Sequence, residues 1–315
     1  MTVRKTKDLT ADTAGIESAA EVLSAGGLVA FPTETVYGLG ADARNDLAVA
    51  DIFAAKGRPS FNPLIVHVSS LTEAERFASF DEAALDLARA FWPGALTLVL
   101  PLRSDSGLSR LVTAGGDSLA IRVPDHPVAS ALLDAFQGPI AAPSANPSGR
   151  ISPTTADHVR AGLRGRIDAI VDGGSTNVGL ESAIVDPRGP FLLRPGGIPP
   201  EALEQALRTP LRTAPRQDQP SAPGQLASHY APGATVRLDA EKRDEDEFLI
   251  GFGGIEGDLS LSPTSDLREA AARLFDVLHQ ADATGRPIAV APVPDTGLGK
   301  AINDRLRRAA APRSD

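Results

Sequence analysis

The sequence predicts an α/β protein with a twisted, mixed sheet in its N-terminal part and a smaller α/β unit at its C-terminal end. Short apolar runs of strand length alternate with amphipathic segments of helix length along most of the chain. Between 209 and 232 the alternation stops, and the composition becomes rich in proline, alanine and glutamine. Because interleaved strands and helices bury their apolar faces in layers, the pattern favours a sheet covered by helices.

The first elements are a helix and a buried strand. The helix is predicted over 14–25 and ends at a Gly-Gly pair, which is a common stop signal. The run Leu28 to Phe31 has the length and composition of a buried strand. We expect Pro32 to end this strand, since proline gives no donor to the ladder. Gly38 and Gly40 are then expected in a turn.

The remaining elements continue the alternation to the C-terminus. Further strands are predicted at 64–68, 95–100, 118–123, 140–142, 169–172, 182–185, 191–193, 248–252 and 288–291. Further helices are predicted at 48–55, 71–77, 81–91, 127–136, 154–163, 201–207, 267–282 and 298–310. The expected organisation is an α/β domain at 1–208, a linker or lid at 209–234, and a small βαβα domain at 235–315.

Composition excludes several classes of protein. The net charge of −9 over 315 residues argues against a general nucleic-acid-binding surface, although a local basic pocket is compatible with it. Without cysteine there is no disulfide, thiolate nucleophile or cysteine metal site. No apolar run approaches the roughly 20 residues that span a bilayer, and the N-terminus lacks the apolar core of a signal peptide. A cytoplasmic protein without membrane partners is expected.

Three cationic residues stand out. Lys56 and Arg58 lie two residues apart in a predicted turn, where they could clamp phosphate oxygens; two solvated surface cations would give the same pattern. Arg122 lies within the apolar strand SLAIRV, where a buried charge needs a ligand or a partner. A salt bridge to an acidic side chain is the alternative for Arg122.

Other polar positions are ambiguous when each is taken alone. His67 interrupts the strand LIVHV and could be an ordinary core histidine. Ser144 and Asn146 belong to Pro-Ser-Ala-Asn-Pro, which by itself is an ordinary turn. Ser182 could simply begin a strand. Neither the Gly-x-Gly-x-x-Gly nor the P-loop pattern is present, so a nucleotide site would have to be built in another way.

Five separated segments occur in an order that resembles the YrdC-type domain of the L-threonylcarbamoyladenylate synthases. They are PTETVYGLGAD, KGRPSFNPLIVHV, SLAIRVPDHP, APSANPSG and ESAIVDPRGPFLLRPG. The resemblance runs from about 26 to 197 and continues through HYAPGA and the C-terminal unit, as in the longer, two-domain form of the family. It implies a YrdC-like domain with a concave basic cavity and a small Rossmann-like C-terminal domain.

The resemblance also implies an activity. Enzymes of this family are nucleotidyltransferases that make threonylcarbamoyl-AMP from L-threonine, bicarbonate or CO2, and ATP, releasing pyrophosphate. The product passes to a transferase complex that modifies the adenosine beside the anticodon of tRNA. Mg²⁺ is expected on the ATP phosphates, with no dedicated protein ligands for it. Whether the protein binds tRNA directly is left open.

The family's functional residues map onto matching positions of this chain. The catalytic set implied by the resemblance is Lys56, Arg58, Ser144 and Asn146. The implied ATP contacts are Arg58, Asn62, Ser118, Ser144, Ser152, Arg194 and Tyr230. The implied threonine contacts are Thr35, His67, Arg122 and Ser182. The chain departs from the usual pattern by carrying Ala142, where many relatives have a hydroxyl residue, Ala183 for threonine, and Ser118 for threonine.

The resemblance gives the linker a hypothetical role. Tyr230 ends an otherwise featureless segment, so we expect 221–232 to fold over the cavity as a lid, with this tyrosine touching the nucleotide.

Two other functions compete with the synthase. A carbamoyl-transferring maturation factor for hydrogenases contains a related domain, but it needs cysteine-rich zinc fingers that a chain without cysteine cannot form. An RNA-binding or ribosome-assembly module could use the same basic cavity, although the net acidity weighs against it.

Overall fold

A computed structural model describes residues 4–213 and 229–312 of the chain. In the N-terminal part the strands are β1 Lys7–Thr10, β2 Val29–Pro32, β3 Tyr37–Asp42, β4 Ile65–His67, β5 Leu96–Pro101, β6 Ser118–Arg122, β7 Ile140–Ala141, β8 Ala169–Asp172, β9 Ala183–Asp186, β10 Phe191–Arg194 and β11 Arg212–Thr213. The helices there are α1 Thr13–Ser24, α2 Asp46–Lys56, α3 Leu71–Ala74, α4 Glu82–Phe91, α5 Pro127–Phe136, α6 Ala156–Leu163 and α7 Pro200–Leu207, with a 3₁₀ turn at Arg110–Thr113.

The N-terminal strands form one mixed sheet. Its order is β1-β8-β2-β3-β7-β4-β6-β5-β9-β10-β11. It contains both parallel pairs, such as β4 with β6, and antiparallel pairs, such as β5 with β6. The predicted fold class, an α/β domain with a mixed sheet, is therefore confirmed.

Helices cover both faces of this sheet, as the alternation of side chains along each strand requires. Val29 and Phe31 of β2 pack in one apolar cluster with α1 and α5. Leu28 and Ala30 belong to the cluster on the opposite face, which also contains residues of α2, α4 and α6. The domain is therefore a three-layer sandwich; central strands such as β2 and β4 are buried on both faces, whereas the edge strands β1 and β11 are largely exposed.

The predicted turn at Gly38 and Gly40 is wrong, because both residues lie in β3. This strand pairs antiparallel with β2, and Pro32 is the last residue of β2, opposite Tyr37. A Cβ atom on Gly40 would lie 2.8 Å from side-chain carbons of Phe31 and Ile140. The glycine leaves room for these two side chains, so it marks a close approach within the sheet and not a change of chain direction.

The C-terminal part is a separate, smaller sheet with two helices. Its strands are β12 Val236–Arg237, β13 Phe248–Gly251, β14 Leu259–Ser260 and β15 Ile288–Val290, and its helices are α8 Leu267–Ala283 and α9 Gly299–Ala310. The order is β12-β15-β13-β14, and all the pairs are parallel. The predicted α/β unit is confirmed, with the short β12 and β14 added to the two expected strands.

The two parts share an apolar cluster. Leu274 and Phe275 of α8 pack with Val36, Leu180 and Tyr230. The predicted domain limits at 208 and 235 stay a prediction; β11 lies within the stretch predicted as linker, and most of that stretch, 214–228, lies outside the described residues. Among the described residues, no helix is long and apolar enough to cross a membrane.

The close packing at Gly40 gives a first test. The Gly40→Ala variant should lose about 1–3 kcal/mol of unfolding free energy, because the added methyl group meets Phe31 and Ile140 in a packed core. The matched control is Gly254→Ala, since a Cβ atom at Gly254 would meet nothing within 4 Å. Urea unfolding of both variants measures the difference. Equal stability in the two variants would contradict the close approach.

Candidate active site

A cavity opens between the N-terminal sheet and the segment that leads into the C-terminal part. The β2–β3 hairpin, β4, β6, the loop after β7 and the ends of β9 and β10 contribute to its wall. The space between the lining atoms, including the solvent at the open mouth, is about 530 Å³. The predicted basic cavity is thus a feature of the fold.

Arg122 is held on one side of the cavity by several hydrogen bonds. Its Nη2 donates to Glu34 Oε1 at 2.5 Å, its Nη1 to Thr35 Oγ1 at 3.0 Å, and its Nε to the Gly94 carbonyl at 3.1 Å. The salt bridge that was the alternative for this arginine is therefore present, and the arginine also lines the cavity. Glu34 was not singled out from the sequence as a partner, since only the fold brings 34 and 122 together.

His67 lies beside Arg122, because β4 and β6 pair in register at these two residues. Its Nδ1 is buried, with no hydrogen-bond partner among the described residues. Burial, followed by the charge of Arg122, lowers the pKa of His67 to about 3. The imidazole is therefore neutral at physiological pH, and one of its ring nitrogens can serve a ligand.

Lys56 is the last residue of α2 and not part of a turn, since Gly57 ends the helix at φ +63°. The Lys56 Nζ donates to the carbonyl of Ser144 at 2.5 Å and to the carbonyl of Asn146. Burial, together with the nearby Arg58, lowers the pKa of Lys56 well below its ordinary value. The lysine braces the Ser-Ala-Asn loop from behind the cavity wall.

Arg58 lines the cavity itself. Its Nη2 donates to the Pro63 carbonyl at 3.0 Å, and its Nε to the Asn62 carbonyl at 3.3 Å. Burial lowers the pKa of Arg58 to about 10, so it remains charged at neutral pH. Asn62 is fully buried, and neither polar atom of its side-chain amide has a partner among the described residues. An unsatisfied buried amide of this kind is rare in a folded protein.

Ser182 and Arg194 form another part of the wall. The Ser182 carbonyl accepts from Arg194 Nη2 at 2.9 Å and Nε at 3.2 Å. The Ser182 hydroxyl lies 2.7 Å from the Thr97 hydroxyl. Burial lowers the pKa of Arg194, and the guanidinium stays charged at neutral pH. A third guanidinium group is thereby fixed at the cavity.

Tyr230 closes the cavity on the side of the C-terminal part. Its backbone is left-handed at φ +61°, and its ring stacks on Phe275 with 5.5 Å between centroids. The ring of the preceding residue, His229, also lines the cavity. Residues 221–228 of the predicted lid lie outside the described residues, so the lid stays a proposal.

Two other predicted residues lie behind or beside the wall. The Ser152 hydroxyl donates to Glu181 Oε1 at 2.5 Å, so it is committed to a carboxylate. Ser118 is on the same face of β6 as Arg122, because it lies four residues before it in the strand. The predicted residues that line the cavity are Thr35, Arg58, His67, Arg122, Ser144, Ser182, Arg194 and Tyr230. Lys56, Asn62, Ser118, Asn146 and Ser152 lie outside the lining.

The departures from the family pattern differ in their surroundings. Ala142 lines the cavity, so its methyl group stands where a hydroxyl could contact a ligand. Ala183 is fully buried in β9. The described residues contain no group of three or more histidine, aspartate and glutamate side chains that could hold a metal ion.

The fold and the cavity define a class of protein: an α/β enzyme whose buried guanidinium groups, hydroxyls and neutral histidine fit a small anionic ligand. A family model described as "Telomere recombination" matches residues 21–196. A second, described as "Threonylcarbamoyl-AMP synthase, C-terminal domain", matches residues 198–311.

Individual relatives agree with these models. The threonylcarbamoyl-AMP synthase of Bacillus subtilis is 42% identical over 98% of this chain and 96% of its own length. The threonylcarbamoyl-AMP synthase of Pyrococcus abyssi is 42% identical over 95% of this chain and 94% of its own length. The crystal structure of P. abyssi Sua5 complexed with L-threonine superposes with a TM-score of 0.88 at 39% identity, covering 97% of both chains. The chain belongs to the threonylcarbamoyl-AMP synthase family in its two-domain form.

The neutral histidine gives a second test. Since the pKa of His67 is about 3 in the fold and about 6.5 in the unfolded chain, only the unfolded chain gains this proton between these pH values. Stability therefore falls as the pH falls below 6.5, by about 2 kcal/mol at pH 5 for this group. We expect the loss of unfolding free energy between pH 7.5 and pH 5 to be smaller by that amount in His67→Gln.

Urea unfolding of both proteins at the two pH values measures this difference. Comparing each protein with itself cancels the constant effect of the substitution. If the two proteins lost the same stability on acidification, the histidine would not be held neutral.

Proposed function

We propose that this protein makes threonylcarbamoyl-AMP from L-threonine, bicarbonate or CO2, and ATP, with release of pyrophosphate. The observation that carries the proposal is the set of buried guanidinium groups around one cavity, at Arg58, Arg122 and Arg194, with a neutral histidine beside them. The solved relative with L-threonine bound supports the amino-acid substrate. This chemistry needs sites for a carboxylate and a triphosphate together.

The carboxylate of threonine is assigned to Arg122. A guanidinium has five N–H donors, and three bonds to protein acceptors are seen at Arg122. Two donors remain for a carboxylate, on an arginine whose orientation is already fixed. The Thr35 hydroxyl, Nδ1 of His67 and the Ser182 hydroxyl can then hydrogen-bond the other polar groups of the amino acid.

The phosphates of ATP are assigned to Arg58 and Arg194. Both groups are charged and fixed by backbone carbonyls, so little reorganisation is needed when charge builds up on the leaving pyrophosphate. The unsatisfied amide of Asn62, the hydroxyls of Ser118 and Ser144, and Tyr230 are assigned to the nucleotide. Lys56 and Asn146 hold the Ser144 loop, and Ser152 acts through Glu181. Mg²⁺ would accompany the ATP phosphates.

The reaction can proceed without a nucleophile from the protein. The amine of threonine attacks CO2 and loses a proton, which gives a carbamate. A carbamate oxygen then attacks the α-phosphorus of ATP, and the bond to pyrophosphate breaks. The protein contributes by holding the reactants in contact and by stabilising charge. Tyr230 and the lid segment would keep water from the carbamate.

The product would pass to a transferase complex that modifies the adenosine beside the anticodon of tRNA, which places the protein in the cytoplasm. An RNA-binding module is not favoured, because Arg58, Arg122 and Arg194 are at most 8% exposed. The phosphates of a continuous nucleic-acid backbone could not enter a cavity to reach these side chains, whereas those of a free nucleotide could.

Pyrophosphate release by the purified protein tests the proposal. Release should require ATP, L-threonine and bicarbonate together, and mass spectrometry of the same mixture should show threonylcarbamoyl-AMP. Release that is indifferent to threonine would reject the synthase reaction.

Arg58 provides a test of the phosphate site. The Arg58→Ala variant should lose at least about 100-fold in pyrophosphate release, because an oriented cation at the phosphates is worth roughly 3 kcal/mol in the transition state. Arg103→Ala is the control, since the Arg103 side chain is 44% exposed and pairs only with Asp105 among the described charges. Turnover near that of the wild type in Arg58→Ala would remove the assignment.

Arg122 provides a test of the amino-acid site. The Arg122→Lys variant keeps the charge but loses the planar fork, so KM for threonine should rise roughly 10- to 100-fold, with a smaller change in KM for ATP. Arg188→Lys is the control, because the Arg188 side chain is 45% exposed and pairs with Asp186. An equal rise in KM for threonine and KM for ATP would contradict the assignment of Arg122 to the threonine carboxylate.

A further inference from the structure

Arg305 is a charged side chain of the C-terminal part that reaches the back of the cavity. It lies on α9 and is fully buried. Its Nε donates to Glu181 Oε2 at 2.9 Å, and its Nη1 to the Pro195 carbonyl at 2.7 Å and to Asp304 at 2.9 Å. A buried ion pair is not in itself stabilising, so its position calls for another explanation.

Glu181 connects Arg305 to the active site. It lines the cavity directly before Ser182 in the chain, and it is the one acidic side chain in the described part of the lining. One carboxylate oxygen accepts from Ser152 and the other from Arg305. Burial alone would raise the pKa of Glu181, but the charges of Arg305 and Arg194 lower it, so the carboxylate is ionised.

Arg305 also joins the two chain segments that carry Ser182 and Arg194. Through Glu181 it holds the residue before Ser182, and through the Pro195 carbonyl it holds the residue after Arg194. These segments bond to each other, because Arg194 donates to the Ser182 carbonyl. One guanidinium group therefore fixes the spacing of a predicted threonine contact and a predicted phosphate contact.

Arg305 also contacts Tyr230. The Cζ atom lies 5.2 Å from the centroid of the tyrosine ring, and Nη2 has no hydrogen-bond partner in the described part of the chain. The negative face of the ring is a suitable neighbour for this nitrogen. The arginine thus holds the ring that closes the cavity.

The helix α8 also packs against the loop that precedes Ser182. A Cβ atom on Gly179, at φ +71°, would lie 2.5 Å from the Ala271 carbonyl oxygen and from the Ala272 Cα. Only glycine allows the helix to approach this closely. The C-terminal part therefore fixes the loop before Ser182 by backbone packing and by the ion pair of Arg305.

We propose that Arg305 is a positioning residue for the synthase reaction: it neutralises Glu181 from behind the cavity and fixes Ser182, Arg194 and Tyr230 around the substrates. This rests on the proposed function. Without Arg305, an unpaired carboxylate would face the phosphates of ATP and repel them. With Arg305 in place, the C-terminal part supplies a charge that completes the active site, in addition to anchoring the linker.

Kinetics of paired variants test this role. Arg305→Met removes the charge at similar length and should lower kcat/KM for ATP roughly 100-fold, mainly through KM. The double variant Arg305→Met with Glu181→Gln removes the uncompensated carboxylate as well. Its kcat/KM for ATP should therefore be at least tenfold higher than that of Arg305→Met. Arg307→Met on the same helix is the control, since the Arg307 side chain is 62% exposed.

The outcomes separate this inference from the proposed function. A wild-type protein without threonine-dependent pyrophosphate release would reject the proposed function. An active wild type with Arg305→Met within twofold of it would reject only the role of Arg305. A folded double variant that recovers nothing would show that Arg305 does not act through Glu181, and this too would overturn the proposal.

If Arg305→Met does not fold, two other variants test the role of Arg305. Arg305→Lys keeps the charge, and the double variant has no unpaired carboxylate, so both should stay within about tenfold of the wild type in kcat/KM for ATP. A folded double variant with a loss beyond 100-fold, beside a nearly unaffected Arg305→Lys, would contradict neutralisation of Glu181 as the role.

Discussion

The structure depends on how it accommodates buried positive charge beside one cavity. Every cation of this group donates to at least one backbone carbonyl. Arg58 bonds to the loop after α2, Arg122 to Gly94, Arg194 to Ser182, and Lys56 to the Ser-Ala-Asn loop. Because carbonyl dipoles compensate only part of the lost hydration, the cations that line the cavity, such as Arg58 and Arg194, favour an anionic ligand.

These bonds also determine the shape of the site. The segments that carry the hydroxyls and amides have little regular structure, and they are held by the cations that border them. The sheet carries His67, Arg122 and Arg194, and the cations also serve as a scaffold for the neighbouring loops. A ligand would meet a preformed arrangement, and the cost of orienting the protein groups has already been met during folding.

The C-terminal part contributes to this arrangement through its helices. The helix α8 packs against Gly179 and Tyr230, and α9 places a charged residue behind Glu181. Residues of both parts share an apolar cluster. The smaller part is therefore packed against the cavity and is not an independent module joined only by the linker. A family resemblance in the N-terminal part alone would have left this contribution out of the account.

The sequence by itself determined the alternation of strands and helices, the mixed sheet and most candidate side chains, because apolar periodicity and residue chemistry are local properties. It gave the wrong structure at Gly38 and Gly40, since glycine favours a turn unless neighbouring side chains need its space. Only the tertiary structure decided which cations line the cavity: Lys56 turned toward carbonyls behind the wall, whereas Arg58 faces inward. It also brought Glu34 to Arg122 and Arg305 to Glu181. Such pairs join residues 88 and 124 positions apart, and a single sequence carries no local signal for contacts at these separations.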